Sequence, residues 1–219
     1  MGIFENKPPK AVSPKVLLGG TFDPVHRGHI LAAHQLADRF GFASVGLLPC
    51  YQPVHGKEKH VSVSQRVDML ELAVANEPKL SVDTSEIIRK EPSYSVDTLR
   101  ALRQKESPKT PIYFALGTDA FNHITTWKDW ESILTLCNLI VMTRPGSALV
   151  WPDSLKKFHE EFNGSYRALG KIYEFTFDAL SISSTQIRMQ LKLKRPIDQL
   201  VPEPVADYIC RNRLYVNTL

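Results

Sequence analysis

The chain has 219 residues, 43% of them apolar and 23% charged, with a formal net charge of +4 and an isoelectric point near 8.9. That length buries a sizeable core without covalent staples, and that composition excludes a disordered polymer. No apolar run approaches the roughly 18 residues of a membrane span, and no dense basic tract with interleaved aromatics favours a nucleic-acid partner.

The opening MGIFENKPPKAVSPK lacks the apolar run and small-residue cleavage site of a secretory signal. It is expected to be a flexible leader over residues 1–14, before one domain spanning 15–219 whose end, from about 181, is helical. Cys50, Cys137 and Cys210 form no C-x-x-C pair, which suits reduced thiols in a cytoplasm.

Lys15–Leu18 is a short apolar run ending in Gly19–Gly20, the pattern of a buried strand entering a tight loop. Ile30, Ala33, Leu36, Ala37 and Phe40 recur at helical spacing from Gly28 onward, and Gly41 stands where a C-cap glycine belongs. Ser44–Leu48 reads as a strand stopped by Pro49, and the polar residues 51–60 as a long loop. Ser62 with Gln65 has capping-box spacing, and Val63, Val67, Leu70 and Val74 form the expected inward stripe of the helix that follows. Leu80–Asp83 reads as a strand and Tyr94–Arg103 as a helix burying Val96, Leu99 and Leu102. Ile112–Leu116 is a strand ending at Gly117. Trp130, Ile133 and Leu134 predict a helix, and Leu139–Thr143 a strand closed by Arg144–Pro145–Gly146. Ile172–Phe177 reads as the last strand. A helix opened by Ser183 and Ser184 buries Ile187 and Leu191, and a final one begins near Pro202–Glu203–Pro204. Strands alternating with helices predict an α/β fold: a doubly wound, open parallel sheet with its ligand at the carboxyl ends of the strands.

The chemistry concentrates in Gly19–Gly20–Thr21–Phe22–Asp23–Pro24–Val25–His26–Arg27–Gly28–His29. A strand ends, two glycines let the backbone approach a ligand, and a helix begins. The start of that helix offers unpaired N–H groups and a positive dipole end to a phosphate. His26 and His29 lie three apart and can face one anion. A histidine pair could also bind metal, but no Cys, His or carboxylate cluster accompanies it. Asp23 could orient the loop or touch a ligand. Ser183–Ser184–Thr185 opens a second helix, where hydroxyls are caps by default, and Arg188 can reach back to the same end to clamp phosphates. No G-x-S-x-G nucleophile elbow is present.

The block GGTFDPVHRGH resembles the signature of the H-x-G-H nucleotidyltransferases, which implies their Rossmann-like fold. The block Ser181–Arg188 resembles the same group, and three blocks between them resemble the bacterial nicotinate-nucleotide adenylyltransferases within it: Pro53–Val54–His55, Pro92–Ser95 to Leu99, and Gly117–Asp119 with Thr126–Trp127. That family moves an adenylyl group from ATP to nicotinate mononucleotide in NAD biosynthesis, and ATP enters with Mg²⁺. The resemblance implies that Gly19, Gly20, Thr21 and Phe22 line the floor where both substrates meet. His26 and His29 would contact ATP phosphates, with Ser183, Ser184, Thr185 and Arg188 around the β- and γ-phosphates. Gly117 and Asp119 would face the adenosine. Trp127 would stack on the pyridine ring, Ser95 and Lys128 would offer backbone N–H groups to the nicotinate carboxylate, and His55 and Lys57 would approach phosphate. No residue is expected as a dedicated metal ligand.

Two other readings compete. One is a relative acting on nicotinamide mononucleotide or phosphopantetheine. The other is a non-catalytic nucleotide- or RNA-binding module, which the intact histidine pair and Arg188 argue against. The sequence leaves the oligomeric state open.

Overall fold

The protein is described by a computed structural model that covers residues 13–54 and 60–216. The leader expected over 1–14 lies outside the described residues except for Ser13 and Pro14, as do His55 and Lys57.

Six parallel strands form one sheet in the order β3-β2-β1-β4-β5-β6. They are β1 (Lys15–Gly20), β2 (Val45–Pro49), β3 (Leu80–Val82), β4 (Ile112–Gly117), β5 (Asn138–Thr143) and β6 (Ile172–Thr176). The strand order reverses direction between β1 and β4, which pair from Lys15↔Ile112 to Leu18↔Ala115. Such a switch point leaves a crevice at the carboxyl ends of the strands, with no crossover to cover it.

Side-chain alternation sends successive residues of each strand to opposite faces. Val16, Leu18, Tyr113, Ala115, Ile140 and Met142 join one apolar layer. Leu17, Ile112, Phe114, Leu116, Leu139 and Val141 join the other. Helices α1 (Arg27–Phe40), α2 (Val63–Val74) and α8 (Glu203–Arg211) cover the first layer, and α4 (Ser95–Lys105) covers the second. The sheet is therefore buried on both faces, as expected of a doubly wound fold.

Three expectations need correction. The inward face of α2 is Arg66, Met69, Leu70 and Ala73. Val63, Val67 and Val74 are only half-buried, because the helix is turned to bring Arg66 beneath the first loop. Trp130–Thr135 is a 3-10 helix of six residues, the tighter form that short connecting pieces commonly take. Short helices α3 (Ser85–Arg89), α5 (Thr118–Asn122) and α6 (Asp153–Lys156) appear where only loop was expected. Helix α7 (Ser184–Lys192) starts where its serines indicated, and Gly41 closes α1 at φ 67° with its N–H on Ala37 and Asp38 carbonyls.

Candidate active site

A cleft of about 720 Å³ opens above the β1–β4 switch point. Its floor is the turn from β1 into α1. Phe22 adopts φ 51°, which folds its ring back over Gly20. A Cβ at Gly20 would come within 2.7 Å of the Phe22 ring, and one at Gly19 within 3.1 Å of Phe114. The two glycines are thus needed for packed aromatic rings as much as for a ligand. Gly117 differs: nothing lies within 4 Å of where its Cβ would be, so it leaves open space at the end of β4.

His26 is the N-cap of α1 and is 4% exposed. Its ring lies over Gly28, where a Cβ would sit 3.0 Å from Nδ1. That Nδ1 is buried without a hydrogen-bond partner. Burial first, and the charge of Arg144 second, push the His26 pKa down to about 4, so His26 is a neutral imidazole at pH 7. His29 stacks on it at 3.6 Å between ring centroids, and Phe22 meets His29 edge-on at 5.0 Å.

The start of α7 is tied directly to this turn. Ser184 Oγ donates to the Pro24 carbonyl at 2.9 Å, and Arg188 Nη1 donates to the Asp23 carbonyl at 2.7 Å. The two helix N-termini therefore open into one cleft, a doubled version of the usual helix-start anion site. Ser183 acts as the cap, its Oγ accepting the Gln186 N–H at 3.1 Å.

Asp23 orients the loop. One carboxylate oxygen accepts the His60 N–H at 2.8 Å and the other accepts the Tyr215 hydroxyl at 2.7 Å. At the other end of the cleft, Ser93 Oγ accepts the N–H groups of Tyr51 and Gln52 at 2.8 and 3.2 Å. This fixes the entry to α4. Glu86 accepts the Thr98 hydroxyl at 2.6 Å, pinning the same helix one turn on.

Of the residues expected at the site, Gly19, Gly20, Thr21, Phe22, His26, His29, Ser95, Gly117, Asp119, Trp127, Ser184, Thr185 and Arg188 line this one cleft. Ser183 and Lys128 do not. The Lys128 ammonium is bound to Asp97 at 2.7 Å and lies 4.8 Å from the Tyr94 ring centroid.

Sequence reasoning missed three residues. Arg66 is fully buried and donates to the carbonyls of Thr21 and Cys50 at 2.8 and 2.7 Å. Its signal was its helical spacing from Met69, Leu70 and Ala73, which puts an arginine on an apolar face. Glu86 sat in a segment read as loop, and its burial has no local signature. Arg144 lines the cleft, yet in sequence it reads only as the stop after β5. Among the described residues no three His, Cys, Asp or Glu side chains gather as a metal cage.

The cytidylyltransferase-like family profile matches residues 17–190. A protein of Marinomonas sp. named "Probable nicotinate-nucleotide adenylyltransferase" is 39% identical over 93% of this chain and 95% of its own length. One of the same name from Hahella chejuensis is 39% identical over 93% of this chain and 96% of its own. The chain belongs to the cytidylyltransferase-like family, among its nicotinate-nucleotide adenylyltransferases. Its fold is that of the Plasmodium falciparum nicotinic acid mononucleotide adenylyltransferase solved with NaAD. The TM-score is 0.71 at 20% identity, covering 93% of this chain and 97% of that one. Within the family's fold, the H-x-G-H histidines His26 and His29 fall at the start of α1, over the switch point. No described helix is long and apolar enough to cross a membrane.

Proposed function

We infer that the chain transfers an adenylyl group from ATP to nicotinate mononucleotide, giving deamido-NAD and pyrophosphate, as one cytoplasmic nucleotidyltransferase domain. The observation that carries the site assignment is the Ser184–Pro24 hydrogen bond, which joins two helix starts over one cleft.

The reaction suits this inventory. A phosphate oxygen of the mononucleotide attacks the α-phosphorus of ATP, and the bond to pyrophosphate breaks. The attacking group is already anionic, so neither a protein nucleophile nor a strong base is required. What the protein supplies is alignment and neutralisation of charge. His29 donates to the α-phosphate. Neutral His26 stacks beside it. Arg188 has Nη1 on the Asp23 carbonyl and Nη2 on the Thr185 hydroxyl at 3.3 Å, which holds its guanidinium beside Ser184 and Thr185 at the head of α7 for the β- and γ-phosphates. Asp119 at the mouth of the cleft takes a hydroxyl of the adenosine, and Gly117 provides its space.

At the other end Trp127 stacks on the pyridine ring. The first N–H groups of α4 at Ser95 and the backbone N–H of Lys128 meet the carboxylate. A carboxylate only accepts, whereas an amide would set its own N–H₂ against those donors. Mg²⁺ would come with ATP and would offset polyphosphate charge there, with no cluster of three His, Cys, Asp or Glu among the described residues to hold it apart from the nucleotide. With ATP labelled at the α-phosphate and nicotinate mononucleotide, the label is expected in the dinucleotide and none in pyrophosphate. Label in free AMP alone would contradict the transfer.

A further inference from the structure

The turn that carries Phe22, Asp23 and His26 is held from a distance. Three groups fix Asp23: the His60 N–H on one carboxylate oxygen, the Tyr215 hydroxyl on the other at 2.7 Å, and Arg188 on its main-chain carbonyl. Asp23 and Tyr215 are each 3% exposed, so water does not substitute for either partner. Tyr215 follows α8, where the chain doubles back through the Leu214 N–H on the Ile209 carbonyl at 3.0 Å. It holds φ 65°, a conformation a bulky side chain keeps only where its surroundings fix it. It does not line the cleft.

We propose that Tyr215 is a positioning residue for adenylyl transfer: its hydroxyl fixes the Asp23 side chain, and through Asp23 sets His26 and Arg188 on the phosphates of ATP. The proposal rests on the phosphate-site reading given above. Removing the hydroxyl leaves a buried carboxylate oxygen without its donor. Asp23 then shifts toward a new partner and carries its own carbonyl, the anchor of Arg188, with it. A residue that merely docked the end of the chain would affect stability and leave the phosphates alone.

Tyr215→Phe keeps the ring and deletes the hydrogen bond. Expected is a fall of about threefold to tenfold in both kcat and ATP affinity, the scale of one buried bond to a charged group. Affinity for nicotinate mononucleotide stays within about twofold, since its pyridine end is bound elsewhere. Leu214→Ala is the control. It removes a neighbouring buried side chain that has no group to hydrogen-bond the Asp23 carboxylate, and should lower the melting temperature while leaving kcat and ATP affinity per folded molecule unchanged. Combining Tyr215→Phe with Asp23→Asn should be no worse than Asp23→Asn alone.

Wild-type kcat and ATP affinity in folded Tyr215→Phe would overturn the proposal. So would an equal loss of both in Leu214→Ala. Should Tyr215→Phe not fold, Asp23→Asn decides, because full kcat in that variant removes Asp23 from the chain of effects. If the wild type binds ATP yet makes no dinucleotide, the activity reading fails, and the ATP affinities alone still judge the Tyr215–Asp23 clasp.

Discussion

His26 and His29 are bonded as well as stacked: the Nδ1 of His29 accepts the backbone N–H of His26 at 3.3 Å. With Nδ1 occupied as an acceptor, Nε2 is the ring nitrogen of His29 that carries a proton to donate. The backbone of the H-x-G-H turn thus sets the tautomer that donates to a phosphate. A donor fixed in advance needs no reorganisation as charge builds. His29→Ala is expected to lower kcat by about 10²-fold or more. It also removes a helix-start contact, so stability should fall by about 1 kcal/mol. Steady-state kinetics with a thermal melt check both, and near-wild-type kcat would remove His29 from the mechanism.

His26 gives stability a distinct acid dependence. Burial and Arg144 lower its pKa from 6.5 to about 4 in the fold. Between those values the unfolded chain binds the proton and the folded chain does not. Stability contributed by neutral His26 is therefore fully present above pH 6.5 and lost as pH falls toward 4, by up to about 3 kcal/mol. Urea denaturation at steps from pH 7 to pH 4 should show this slope, and His26→Gln should flatten it. An unchanged slope in that variant would assign the effect to other groups.

Arg66 is expected to be indispensable to both fold and site. Its guanidinium holds the Thr21 carbonyl in the first loop and the Cys50 carbonyl just beyond β2. Arg66→Met leaves these half-buried acceptors without donors, and a loss of about 3 kcal/mol is expected from two charge-assisted bonds. Arg66→Lys should recover part of the stability and little of kcat, because a single ammonium cannot span both carbonyls as the planar fork does. Denaturant titration and kcat on the two variants separate the roles.

The parts of the molecule that follow local rules could be read from the sequence. Alternating apolar strands, the Ser62 cap and the Gly41 terminus need only neighbouring residues, and each lies where its pattern put it. Residues that act across the sheet could not be read. Arg66 belongs to α2 but serves a loop 45 positions away in sequence. Asp23 is fixed by Tyr215 across 192 positions. Such partners are chosen by topology, and no periodicity carries that information. The glycine pair was legible as a necessity, but its reason was only half visible. The ring that needs Gly20 belongs to Phe22 in its unusual backbone conformation.

That crowding separates two glycines that look alike in sequence. A methyl at Gly20 collides with the Phe22 ring, which is packed against His29. Gly20→Ala should therefore lower kcat about tenfold by displacing His29, a shift of the order expected for misaligned catalytic groups. A methyl at Gly117 meets no protein atom. Gly117→Ala should fold normally and act only on ligand, raising KM for ATP with kcat largely kept. Equal effects of the two substitutions on kcat would contradict this division of the cleft.

The most direct test of the account is kcat/KM for pyrophosphate release from ATP with nicotinate mononucleotide against nicotinamide mononucleotide, with phosphopantetheine as a third acceptor. The nicotinate substrate is expected to be preferred by about 10²-fold or more, because main-chain N–H donors at Ser95 and Lys128 face a carboxylate as acceptor but oppose an amide that brings its own N–H. Phosphopantetheine should give no turnover above background. Equal rates with acid and amide, or release driven only by phosphopantetheine, would contradict it.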